Sequence, residues 1–95
     1  MKHDPRSHRA IAERFGKNLV RCRKRQLLSQ EELSFAAGLH RTEIGMLERG
    51  IRLPRIDTLI KLACTLGVPT DELLDGITWL SGDPRRGGFS IGGER

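Results

Sequence analysis

The segment RTEIGMLERG, residues 41–50, gathers side chains suited to reading another molecule rather than transforming one. If Ile44 and Leu47 face inward at helical spacing, Arg41, Thr42, Gly45 and Met46 share the outer face of a short helix. Arg41 can grip two acceptors at once, as on the groove edge of a guanine. Thr42 can hydrogen-bond a base or touch a thymine methyl, and Met46 offers apolar contact only. Gly45 costs about 1 kcal/mol of helix propensity relative to Ala. Either it bares backbone for a close approach, or it is tolerated on a solvated face. Bond-making chemistry finds no comparable set. His3, His8 and His40 lack metal-ligand spacing, Cys22 and Cys64 form no CxxC pair, and no glycine loop or nucleophile with an oriented base can be assembled. No catalytic residue, metal or cofactor is expected, and the protein is not expected to be an enzyme.

The charge pattern names the kind of partner. The formal net charge is +5 over 95 residues, which favours a polyanion. Residues 1–28 contribute +7, while residues 29–54 and 55–95 contribute −1 each, so the excess is N-terminal. No apolar run approaches the roughly 18 residues of a membrane span, and the opening MKHDPRSHR leads into no signal-peptide core. The isolated cysteines suit a reducing compartment. A cytoplasmic protein with no membrane partner is the expectation.

The elements that must hold residues 41–50 in place are legible from periodicity. Ile11, Phe15, Leu19 and Cys22 form one stripe and predict a first helix over residues 7–26, with Arg14, Lys17, Arg21, Lys24 and Arg25 on its other faces; Val20 has no account in this pattern. Ser29 followed by Glu32 is a capping box, with Leu28 and Leu33 spaced as a hydrophobic staple, so a second helix begins at Gln30. It buries Leu33 and Ala37 and ends at Gly38, where a left-handed cap is needed. The third helix runs over residues 41–49 and is closed by Gly50. After a loop to Pro54, the stripe Ile56, Leu59, Leu62, Ala63 and Leu66 makes a fourth helix stopped by Gly67. Pro69, Thr70 and Asp71 start a fifth of about two turns that buries Leu73 and Leu74. Beyond it lie Ile77 to Leu80 and Phe89 to Ile91, which are either two short strands or part of an unpaired tail.

Residues 28–50, LSQEELSFAAGLHRTEIGMLERG, resemble the helix-turn-helix of the phage-repressor-like, or xenobiotic-response-element, family of transcriptional regulators. PRIDTLIKLACTLGVPTDELL is similar to that family's fourth and fifth helices. The resemblance spans residues 11–74 and implies an all-α, five-helix DNA-binding domain over residues 9–76, between an N-terminal arm (1–8) and a C-terminal extension (77–95). It implies a homodimer on double-stranded DNA, most simply a repressor on a pseudo-palindromic operator. The family's base-reading positions fall on Arg41, Thr42 and Met46, beside Gly45. Backbone phosphates are expected to meet Gln30, Arg49, Arg52, Arg55, Arg21 and Lys24, with Gln30 also bracing the first side chain of the reading helix. His40 stands at an N-cap where Ser, Thr or Asp is preferred; it either contacts a phosphate or is a poor cap compensated by Glu43. Arg23 aligns with an arginine that pairs with the glutamate of the ERG sequence, here Glu48, and this pair is assigned a structural role.

Two alternatives share the same domain. GLHRTEIGMLERG is similar to the recognition helix of restriction-modification controller proteins. An antitoxin would instead use the C-terminal extension to bind a protein partner. Phe35 lies on a face the family leaves polar, so it is covered either by the tail or by an interface. Trp79 and Phe89 pose the same choice, and a core of some 65 residues is marginal enough to gain from dimerisation.

Overall fold

The computed structural model describes residues 5–82 and 87–92. Five helices, α1 (Pro5–Arg25), α2 (Gln30–Ala37), α3 (Arg41–Glu48), α4 (Ile56–Leu66) and α5 (Thr70–Leu73), precede two strands, β1 (Ile77–Leu80) and β2 (Gly88–Ile91). The first helix starts two residues before the expected position, at Pro5, a residue suited to a first helical turn because its missing N–H would have no partner there. Residues 1–4 of the expected arm lie outside the described residues.

The core collects the inward stripe of each helix: Phe15, Leu19 and Cys22 of α1, Leu33 and Ala37 of α2, Ile44 and Leu47 of α3, Leu62, Ala63 and Leu66 of α4, and Leu73 of α5. Ile56, placed in the α4 stripe by spacing, is 76% exposed. It is the first residue of its helix and overhangs the end of the core. Leu74 is likewise exposed rather than buried.

The α2 start has the geometry its sequence demands. Ser29 Oγ accepts from the Glu32 N–H at 3.0 Å, while the Glu32 carboxylate accepts from the Ser29 N–H at 2.8 Å. Gly38 terminates the helix at φ 69°, in the left-handed region that glycine enters without Cβ strain. The α1–α2 turn uses a residue of the opposite kind, because Leu27 holds φ 59° with its side chain 89% exposed.

The C-terminal residues resolve into a hairpin rather than a tail. β1 and β2 are antiparallel, with Ile77 opposite Ile91, Thr78 opposite Ser90 and Trp79 opposite Phe89. The Trp79 and Phe89 rings meet edge to face, their centroids 5.1 Å apart. The hairpin is tied to α1 through its base: Asn18 donates to the carbonyls of Leu73 and Asp75 at 3.0 and 2.9 Å, and Arg14 Nε donates to Asp75 O at 3.1 Å. Arg14, expected on a solvated face, is 8% exposed. Its guanidinium lies against the backbone of Gly76, where a Cβ would collide with it at 2.2 Å.

Candidate nucleic-acid interface

α2, the turn at Gly38 and α3 form two helices joined by a short glycine-containing turn, an arrangement that projects the second helix at a steep angle from the first. What fixes α3 is its C-terminal end. Gly16 of α1 sits directly beneath it, and a Cβ at that position would lie 2.6 Å from the carbonyl oxygens of both Leu47 and Glu48. Next to this close approach, Arg23 Nε and Nη2 donate to Glu48 Oε2 and Oε1 at 2.6 and 3.0 Å, and Arg23 Nη1 donates to Leu28 O at 2.9 Å. Gln30 Nε2 adds a bond to Glu48 Oε1 at 2.9 Å.

One carboxylate thus joins α1, the α1–α2 turn, α2 and α3. The side chains of Arg23 and Glu48 are 12% and 5% exposed, so the charges are withdrawn from water and depend on each other. The carboxylate holds the Arg23 guanidinium above its usual pKa. Gln30 is therefore bonded to Glu48, near the end of α3, and not to the first side chain of that helix.

The N-terminal half of α3 faces outward. Arg41 and Thr42 are exposed and Met46 is half-buried. Thr42, Glu43 and Met46 line a shallow groove of about 540 Å³ with Leu39, His40 and Arg52. His40 stands at the N-cap with no hydrogen bond from its side chain to the helix. Glu43 does not compensate, since its carboxylate takes Arg52 across the groove.

Gly45 departs from the outer-face assignment. It is buried, with Arg49 Nη1 and Gln30 Oε1 each 3.9 Å from where its Cβ would be. Two long side chains cover the backbone that the sequence pattern left bare.

The basic residues divide in a way a charge count cannot show. Arg21 and Arg23 are two residues apart and so lie about 200° apart around α1. Arg23 faces α3, while Arg21 donates to Asn18 Oδ1 at 3.0 Å and to Glu72 O at 3.4 Å and lies 3.9 Å from Asp75 Oδ2. Arg21 is thus on the side of α1 away from the reading helix and is set aside as a phosphate ligand. Arg25 is on the same side, 3.7 Å from Glu72. Much of the N-terminal basic excess anchors α5 and the base of the hairpin. Lys24 and Arg49 are exposed and make no ion pair among the described residues, and Arg55 is exposed with Asp57 3.2 Å away. Among the described residues, no group of three or more His, Cys, Asp or Glu side chains could hold a metal ion.

Residues 19–73 match the helix-turn-helix family HTH_3. The chain belongs to the helix-turn-helix family. Control protein C.BamHI of Bacillus amyloliquefaciens is 45% identical over 51 residues, which is 54% of this chain and 63% of that protein; this helix-turn-helix chain therefore spans less than two thirds of that relative's length. The crystal structure of the restriction-modification controller protein C.AhdI from Aeromonas hydrophila is similar with a TM-score of 0.64 and 39% identity, covering 65% of this chain and 94% of that one. The biofilm regulator SinR in complex with DNA is similar with a TM-score of 0.62 and 31% identity, covering 64% and 98%. The family match ends at residue 73, so the hairpin lies beyond the part this chain shares with its helix-turn-helix family.

Asn18 and Gly16 are the residues that sequence reasoning missed. Asn18 is fully buried in α1 and bonded to carbonyls 55 and 57 residues away. A polar residue one position before the apolar Leu19, on a helix with a strict stripe, was the available signal, but not its partners.

Proposed function

We propose that this chain is a sequence-specific transcriptional regulator that lays α3 in the major groove of double-stranded DNA. The observation that carries the reading is the division of labour along α3: its last residue is clamped from behind by Arg23 and Gln30, and its first two residues are exposed. A reading helix needs such a rigid root and a free tip. Arg41, Thr42 and Met46 are the base-contacting residues in this proposal. Gln30, His40, Arg49, Arg52, Arg55 and Lys24 are positioned for phosphates, and Gly45 acts only as the thin place that lets Gln30 and Arg49 cross α3.

The protein acts as a homodimer in the cytoplasm, and its site is a pseudo-palindrome with half-sites about 34 Å apart. The likeness to C.BamHI and C.AhdI favours a restriction-modification controller over a general repressor. The antitoxin reading draws on no such likeness. No described helix is long and apolar enough to cross a membrane.

The test is selection of duplexes from a random pool, followed by titration of the selected site at several salt concentrations. Enrichment of a two-fold symmetric site, with log K falling by about 0.9 per phosphate contact for each unit of log salt, is the expected result. No enrichment together with a flat salt dependence would remove nucleic acid as the partner.

A further inference from the structure

Three of the arginines nearest α3 are not free cations. Arg41 Nη1 lies 3.3 Å from Glu31 Oε2, Arg52 is bonded to Glu43, and Arg55 Nε lies 3.2 Å from Asp57 Oδ1. Asp57 has a local task, because the same Oδ1 accepts from the Thr58 N–H at 3.0 Å in the first turn of α4. Glu31 and Glu43 have no such task. Glu31 is 75% exposed on α2, with Arg41 its only partner among the described residues. Glu43 is 21% exposed, and the same is true of its bond to Arg52. A surface meant only to attract a polyanion would gain from losing both.

We propose that Glu31 and Glu43 are specificity-determining residues that hold Arg41 and Arg52 neutral against non-specific DNA and release them to the right sequence. The inference rests on the DNA-binding reading above. Its logic is one of magnitudes. An exposed ion pair is worth roughly a 1.5- to 5-fold factor. Non-specific dissociation constants of about 10⁻⁴ to 10⁻⁶ M shared over six to ten phosphate contacts give roughly 2.5- to 10-fold per contact, a comparable factor. An arginine that leaves its carboxylate for a phosphate therefore gains little, and the abandoned carboxylate then faces the polyanion. A bidentate arginine–guanine contact discriminates by about 5- to 150-fold, enough to exceed the pair. The two carboxylates thus tax every sequence, but only the operator offers Arg41 a contact strong enough to offset the tax.

Geometry makes the release local. Both pairs join side chains at the tip of the reading helix, outside the buried Arg23–Glu48–Gln30 cluster, so opening them leaves the root of α3 intact.

The test uses the full chain and two duplexes, one carrying the site selected by the wild-type protein and one unrelated. Glu31→Gln and Glu43→Gln keep shape and remove charge. Asp71→Asn, exposed on α5, removes the same charge elsewhere. Each glutamine variant should melt like wild type and bind the unrelated duplex several-fold more tightly, with a salt slope steeper by about one contact per protomer. Affinity for the selected site should change less than twofold, so the ratio between the two duplexes falls. Asp71→Asn should leave that ratio unchanged. Equal gains on both duplexes, or an Asp71→Asn variant that lowers the ratio as much as Glu43→Gln, would overturn the proposal. A wild-type protein that selects no site at all would instead overturn the DNA-binding reading on which it rests.

Discussion

Replacing Arg23 with alanine should come close to unfolding the protein while removing nothing from the DNA-facing surface. In the native state the guanidinium supplies two of the three hydrogen bonds to the Glu48 carboxylate. Its loss leaves a negative charge, 5% exposed, with one amide donor. Breaking a buried pair from one side costs about 3–5 kcal/mol, a large share of the roughly 5–15 kcal/mol that holds a small domain together. In a chain of this size each kcal/mol is worth about 4–8 °C at the midpoint, so the Arg23→Ala midpoint should fall by at least about 12 °C. Glu48→Ala should cost about 3 kcal/mol, at the lower end of the same range, because the abandoned guanidinium keeps its bond to Leu28 O and is 12% exposed. The double variant leaves no unpaired charge and should cost less than the sum of the singles by about 0.5–3 kcal/mol. Urea and thermal unfolding of the four proteins measures all of this. Losses that add within about 0.5 kcal/mol would refute the claim that the two charges depend on each other, and with it the account of how α3 is rooted.

Two glycines should respond in opposite senses. Gly16→Ala drives a methyl into two backbone carbonyls and should destabilise by at least about 1–3 kcal/mol, whereas Gly45→Ala meets only the ends of two flexible side chains and should gain up to about 1 kcal/mol of helix propensity; chemical denaturation compares them. Glu32, which accepts from the Ser29 N–H, is held below the ordinary carboxylate range, so its stabilisation is complete above the unfolded-state value of about 4.3 and fades as pH falls through the folded-state value. Glu32→Gln keeps the acceptor but not the charge, and its stability deficit at pH 7 should shrink toward pH 3 in melting curves. Cys64 is exposed, while Cys22 is 1% exposed with its thiol pushed up by burial; one thiol per chain should react at once with a labelling reagent, and the second only as fast as the core opens.

Legibility tracked the distance between partners along the chain. The capping box at Ser29 and Glu32 spans three residues and was readable as a local pattern, as were the stripes of α1 and α4 and the left-handed glycines that stop α2 and α4. The Arg23–Glu48 pair, 25 residues apart, came only from the family resemblance, because nothing in periodicity tells one arginine of RCRKR from another. Arg14 and Asn18 were not found at all, since their partners are main-chain carbonyls more than fifty residues away, which carry no sequence identity. Gly45 was misplaced for a related reason. Helical phase puts it on the outer face, but it cannot show that Gln30 and Arg49 fold over it. The hairpin stood open between two readings until its docking on α1 was visible.

The attachment of α1 to the far end of the fold also sets a timetable for synthesis. Phe15, Leu19 and Cys22 leave the ribosome early, yet Asn18 and Arg14 cannot meet the carbonyls of Leu73 and Asp75 until some fifty further residues have emerged. At about 5–20 residues per second that interval is roughly 3–10 s. Throughout it the nascent first helix carries an apolar stripe with no completed core to receive it, which makes it the natural place for a chaperone to attend and the last element to become secure.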